Sequence, residues 1–118
     1  MKPMDWVEYC LSLSGTYKDY PFGEEWIVLR HRESKKSFAF FYEKEGKHCV
    51  NLKCDPLRAD FLRRIYSWVT PGYHMNKVHW NTIWLNNADE DEVRSMILHS
   101  YLLTARNRQK KGRKKGET

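Results

Sequence analysis

The sequence predicts an α+β fold, a single domain built on an antiparallel sheet of about five strands with three helices, in the order α-β-β-β-α-β-β-α. Three observations predict it. Runs rich in branched and aromatic residues fall between 26 and 53, separated by short polar joints. Helix-start signals stand at Pro3, at Asp55-Pro56 and at Asp89 with Glu92 three residues on. The length, 118 residues, fits one modest core.

The first helix is expected over 3–14. Pro3 suits the first turn, Trp6, Val7, Cys10 and Leu11 recur at helical spacing, and Gly15 supplies a stop. Residues 16–25 read as a loop pinned to the core by Tyr17, Tyr20 and Phe22. Strands follow at 26–32, 37–43 and 47–53, and their short joints predict an antiparallel meander. Asp55 is expected to cap the second helix, with Pro56 at its first position. Leu57, Phe61, Leu62 and Ile65 form its buried stripe, and Arg58, Arg63 and Arg64 a solvated face.

After the Pro71-Gly72 turn, residues 77–85 are expected as a strand that pairs with 68–70. Alternation puts Val78, Trp80, Thr82 and Trp84 on its core face, and His79, Asn81, Ile83 and Leu85 on the other. Asp89 and Glu92 form a capping box for the third helix, whose apolar stripe is Val93, Met96, Ile97, Tyr101 and Thr104. Val50, Leu52, Phe61, Leu62, Trp80, Ile97 and Tyr101 are the expected core.

The formal net charge of +6 is not spread evenly. Seven of the 21 basic residues and one of the 15 acidic ones lie beyond Ala105, which leaves fourteen of each in residues 1–105. A neutral domain, 1–105, is thus followed by a basic stretch, 106–118, expected to be mobile because it has no apolar surface to bury. The apolar runs are too short to span a membrane and the start lacks a signal-peptide core, so a cytoplasmic protein is expected. Three cysteines make no disulfide framework, and His48, Cys49 and Cys54 lack zinc spacing. Neither a metal nor a cofactor is expected.

The densest stretch is Thr70-Pro71-Gly72-Tyr73-His74-Met75-Asn76-Lys77-Val78-His79-Trp80-Asn81-Thr82-Ile83-Trp84-Leu85. With Asn51-Leu52-Lys53-Cys54-Asp55-Pro56 and Tyr20-Pro21-Phe22-Gly23 it resembles the MmcQ/YjbR family of small bacterial proteins, over roughly residues 3–104. The resemblance implies a YjbR-like α+β fold with helices on one side of the sheet, related in shape to type III secretion chaperones and to CyaY-like folds. It also implies the family's proposed mode of DNA contact, through a pair of hairpin wings.

The residues themselves carry no catalytic pattern. His74 and His79 have no acid in their block, and glycine phosphate loops, GxSxG and HExxH are absent. Cys54 beside a helix start is read as a packing residue, so no enzyme is expected. Asn81 and His74 are expected to tie the turn together as buried hydrogen-bonded groups. Weak, sequence-tolerant nucleic-acid binding, chiefly to DNA, needs positive charge and flat groups. Lys47, Lys53, Tyr73, His74, Asn76, Lys77 and His79 supply both on the hairpins. Arg106, Arg108, Lys110, Lys111, Arg113, Lys114 and Lys115 form an electrostatic tether. The alternative is a protein-interaction or chaperone-like module that offers sheet edges or an exposed apolar patch to a partner protein, and on either reading a monomer is expected.

Overall fold

The computed structural model describes residues 2–105. The expected basic tail, with its seven candidate nucleic-acid ligands, lies outside the described residues. The elements are α1 (Pro3–Leu11), β1 (Thr16–Asp19), β2 (Ile27–His31), β3 (Ser37–Lys44), β4 (Lys47–Lys53), α2 (Pro56–Ile65), β5 (Val69–Pro71), β6 (Trp80–Trp84), a 3-10 turn (Leu85–Asn87) and α3 (Glu90–Ala105). Every strand pairing is antiparallel, in the order β1-β2-β3-β4-β6-β5. The sheet thus has six strands rather than about five.

The extra strand is β1, inside the stretch expected as a loop. Its four residues are too few to show a period, but Thr16 to Asp19 pair in register with His31 to Val28. The buried Thr16 hydroxyl donates to the Cys10 and Leu13 carbonyls, at 3.1 and 3.0 Å, and so closes off α1 three residues earlier than Gly15 suggested. Between β3 and β4, Glu45 and Gly46 both take positive φ, the backbone a two-residue hairpin of this twist requires. In β3, Ala39 faces Leu29 and Ser37 faces Arg30, which leaves Phe38 as a bulged residue. The bulge turns Phe38 onto the rings of His31 and Tyr101, where it is fully buried.

All three helices cover one face of the sheet: α1 against β1 and β2, α3 across β3 and β4, and α2 against β5 and β6. Between helices and sheet lies one core that includes Trp6, Val7, Cys10, Leu29, Ala39, Phe41, Val50, Leu52, Ile83, Val93, Met96 and Ile97. Val50, Leu52, Leu62 and Ile97 are buried as expected. Trp80 and Tyr101 are only partly so.

Two expectations fail on orientation. On β6 the pairing of Val50 with Ile83 and Leu52 with Asn81 puts Ile83 and Asn81 on the helix side. Trp80, Thr82 and Trp84 face the other way. The reversed assignment assumed an apolar face and a wet face, whereas both faces of β6 are covered. The strand is also shorter than 77–85, since residues 77–79 belong to the preceding turn. On α2 the buried side chains are Ala59 and Leu62. Leu57, Phe61 and Ile65 are 84%, 55% and 50% exposed, on a stripe turned away from Ala59. The small Ala59 side chain lets the helix lie close to the sheet, and that contact fixes its rotation.

The start of α2 is held differently from the expected cap. The Asp55 carboxylate makes no cap bond. Instead the Asp55 backbone N–H donates to His99 Nε2, at 3.2 Å, from α3. Burial and the nearby Arg58 charge push the His99 pKa down, against the opposing pull of Asp55. At α3 the Asp89 half of the expected box forms, its carboxylate accepting the Glu92 N–H at 3.0 Å.

All three cysteines are buried and unpaired. No helix among the described residues is long and apolar enough to cross a membrane.

A Cβ on Gly72 would lie 2.8 Å from the Trp80 Cβ and 2.9 Å from the Trp80 carbonyl oxygen. Gly72→Ala is therefore expected to cost about 1–3 kcal/mol in chemical denaturation, because backbone and not a flexible tip must move. The depressed His99 pKa has a defined sign. Its contribution to stability is complete above the ordinary value of 6.5 and is lost as pH falls through the lower folded value. Melting temperature should drop between neutral pH and pH about 5, and His99→Gln should make that drop shallower. Equal slopes for the two proteins would assign the acid sensitivity elsewhere.

Candidate nucleic-acid interface

The helix-free face of the sheet is built by alternation. Register places Val28, Phe40, Asn51, Thr82 and Thr70 in one row across it, with Tyr42, Cys49 and Trp84 in the next. Lys44, Lys47 and Lys53 project from the same side. No helix covers this face, yet Val28, Tyr42, Cys49, Asn51 and Thr82 are buried. Two loops roof them. Trp26, ahead of β2, stacks on Tyr42 with ring centres 4.1 Å apart, and Tyr73, from the β5–β6 loop, stacks near its other side at 5.8 Å.

Beneath the rings lies a closed polar network. Asn51 Oδ1 accepts from the Tyr42 and Thr82 hydroxyls, both at 2.6 Å, and Asn51 Nδ2 donates to the Tyr73 carbonyl at 2.9 Å. The Tyr73 N–H donates to Thr82 Oγ1, also at 2.9 Å. Both backbone groups of Tyr73 are thereby fixed over the centre of the sheet. Burial pushes the Tyr42 phenol pKa up, so the proton that makes these bonds stays in place. Trp84 Nε1 donates to Thr70 Oγ1 at 3.0 Å, which secures β5 to β6 on the same side.

A second clamp holds the loop from the helix side. Arg63 Nε donates to Asn81 Oδ1 at 2.7 Å, while its guanidinium also reaches the Lys77 and Trp80 carbonyls. Asn81 Nδ2 donates to the Ala59 carbonyl, at 3.4 Å. Arg63, expected on a solvated face, is the residue that ties α2 to the loop. Its sequence signal is weak, since nothing local marks which of three arginines turns inward.

The sequence-derived candidates divide accordingly. Tyr73 and His74 come together, with ring centres 3.9 Å apart. Lys44, which no sequence motif singles out, sits with its ammonium 4.4 Å from the Tyr73 ring centre. Lys53 lies beside Trp80 in register, and Trp80 packs edge-on against Phe40 at 5.6 Å. Lys47 is exposed at the β3–β4 turn, about 20 Å along the strand from Lys53. Asn76, Lys77 and His79 are exposed on the loop, where Asn76 Oδ1 accepts the Val78 N–H at 2.9 Å. His74 is exposed with φ 62°, so it is not the buried tie expected of it, whereas Asn81 is.

A groove of about 770 Å³ opens at the far end of the sheet, beside the start of α1. Met4, Trp26 and Tyr42 help to wall it, and Glu24, Glu25 and Glu43 give it a negative rim against Lys2 and His48. Cys49 borders it, but burial pushes that thiol up to about 11, and Cys54 likewise, so neither is an activated nucleophile at neutral pH.

The fold has relatives. The YjbR family model matches residues 11–103. This chain belongs to the YjbR family. It is 37% identical over 103 residues to YyaQ of Bacillus subtilis (strain 168), covering 76% of this chain and 86% of that protein. To YjbR of Escherichia coli (strain K12) it is 31% identical over 85 residues, 72% and 70% of the two chains. Both are described as uncharacterised. A crystal structure from Pseudomonas syringae superposes with a TM-score of 0.81 at 27% identity, covering 88% of this chain and 99% of that one. One from Deinococcus radiodurans gives 0.80 at 27% identity, covering 90% and 83%. The resemblance read from the Asn51 and Thr70 blocks is thus a family membership, and those blocks supply Asn51, Tyr73, Asn81 and Thr82 to the two clamps of this YjbR fold.

The two clamps predict opposite outcomes for two loop residues. Asn81→Ala should lower stability by about 1–3 kcal/mol, because it leaves the part-buried Arg63 Nε without its side-chain acceptor and removes the buried amide's bond to the Ala59 carbonyl. His74→Ala should stay within about 0.5 kcal/mol of the parent, as exposed substitutions usually do. Urea titration of both variants checks the pair, and an equal loss for the two would contradict the assignment.

Proposed function

We propose that this protein is a non-enzymatic nucleic-acid-binding protein of low sequence specificity, with DNA as its principal partner, and that the helix-free face of the sheet is the binding surface. The observation that carries this reading is the Lys44 ammonium over the partly exposed Tyr73 ring, in a surface that continues through His74, Trp26, Phe40 and Trp80. Partly exposed rings can stack on any base, and cations beside them follow the phosphate path, which together give affinity without a code. Lys44, Lys47, Lys53 and Lys77 line the surface, and Asn76 and His79 stand at its margin.

Electrostatics orients the strand. The groove rim of Glu24, Glu25 and Glu43 repels phosphate, so the path runs from Tyr73 and Lys44 toward Trp80 and Lys53. The body is formally neutral, so seven basic residues, Arg106, Arg108, Lys110, Lys111, Arg113, Lys114 and Lys115, supply most of the counterion release. The raised Cys49 and Cys54 thiols favour binding over covalent catalysis. Three buried, unpaired thiols suit a reducing compartment, and the cytoplasm is the location we assign.

Fluorescence anisotropy with a labelled single strand and a labelled duplex, at two salt concentrations, tests this reading. Tyr73→Ala retains both backbone bonds to the sheet and should weaken single-strand binding about tenfold, the loss of one stacked base. Deleting residues 106–118 should flatten the salt dependence for both ligands. Unchanged affinity in Tyr73→Ala, or no binding even at low salt, would overturn it.

A further inference from the structure

We propose that the outer face of α2 is a self-association surface, on which two copies of this chain pair antiparallel about a dyad at Phe61. Leu57, Phe61 and Ile65 recur every four residues and form one exposed stripe along a ten-residue helix. Single exposed apolar residues are ordinary, but a continuous stripe of three large ones marks a contact surface. Arg58 reaches Ser95 of α3 at 3.4 Å, and Asp55 bonds His99, so α2 and α3 share one outer surface. Leu98 and Leu102, 39% and 52% exposed, extend the apolar area onto α3.

The stripe is complementary to itself. With one helix reversed about Phe61, Leu57 of one copy lies opposite Ile65 of the second, and Phe61 meets Phe61. Charge agrees with this arrangement. Asp60 and Arg64 flank the stripe on one side and bond each other at 2.5 Å within a copy. Reversal brings each Arg64 to within about 3 Å, along the helix axis, of the other copy's Asp60; the two Asp60 positions come equally close, so two new attractive contacts stand against one repulsive one. On the other side the two Arg58 positions are about 9 Å apart along the axis and do not collide. Residues 106–118 include no apolar side chain and cannot cover the stripe themselves. A monomer is the expectation from sequence, and the exposed stripe is the observation that argues for a pair instead.

Sedimentation equilibrium of the full chain, from about 1 μM to about 1 mM, tests the proposal. A mass approaching two chains is expected at the upper end. Phe61→Glu and Leu57→Glu change exposed positions and should each remain monomeric with an unchanged circular-dichroism spectrum. Asp60→Arg and Arg64→Asp should each weaken pairing about tenfold, and the double exchange should restore it. A parent that is monomeric throughout, or a Phe61→Glu variant that still pairs, overturns the surface. A double exchange that fails to recover overturns the dyad. These measurements involve no nucleic acid, so they are independent of the binding assay on the opposite face.

Discussion

The Asn51 side chain is the group on which the helix-free half of the molecule depends. It sits at the middle of β4, a strand paired on both sides, and is fully buried. Its oxygen takes two hydroxyl protons and its amide holds the Tyr73 carbonyl. A buried amide without partners costs about 1–3 kcal/mol, so the network is favourable only as a complete set. Completeness is what forces the β5–β6 loop back across the sheet. Tyr73 is then placed beside Tyr42 and under Lys44, and the exposed surface inherits its shape from one buried amide.

The same constraint explains why burial on this sheet cannot be inferred from alternation alone. β4 reads Lys-His-Cys-Val-Asn-Leu-Lys, and four successive residues, Cys49 to Leu52, are buried. One face packs on α3 through Val50 and Leu52, and the other is sealed by aromatic rings over Cys49 and Asn51. A strand covered on both sides loses the polar-apolar alternation that reports a half-wet sheet. On β6, Trp80 and Trp84 looked like the core because they are large, whereas Ile83 and the polar Asn81 face the helices. Residue size favours the tryptophans as core, but partner geometry decides the fold.

What was legible followed local rules. The hairpin at Glu45-Gly46, the Asp89 cap, the order of the helices and the α3 stripe rest on turn chemistry or helical period, which act over a few residues. The block from Thr70 to Leu85 was legible as a hub, but not the identity of its anchors. Asn51, Arg63 and Ala59 lie 14 to 31 residues away from the groups they hold in Tyr73, Thr82, Trp80, Lys77 and Asn81, and no spacing rule joins them. The rotation of α2 was hidden for a related reason. Leu57, Phe61, Leu62 and Ile65 read as one stripe, but the small Ala59 selects the packed side, and a small residue leaves almost no signal in a hydrophobic pattern.

The helix-free face and the outer face of α2 lie on opposite sides of the sheet, and that separation has a physical consequence. A pair of chains joined through α2 would bury only the helix layer and would leave both Tyr73–Lys44 faces open. Each copy would also bring its own seven basic residues beyond Ala105. The second face would then meet a strand already held by the first, at an effective concentration set by the span between the faces rather than by bulk solution. A neutral body with a modest stacking surface gains most from such an arrangement, because each single contact is weak. Doubling the basic residues would steepen the salt dependence of the pair relative to the single chain, since counterion release scales with the number of phosphates neutralised. Self-association through an apolar stripe and binding through an aromatic one would therefore reinforce each other without sharing a residue.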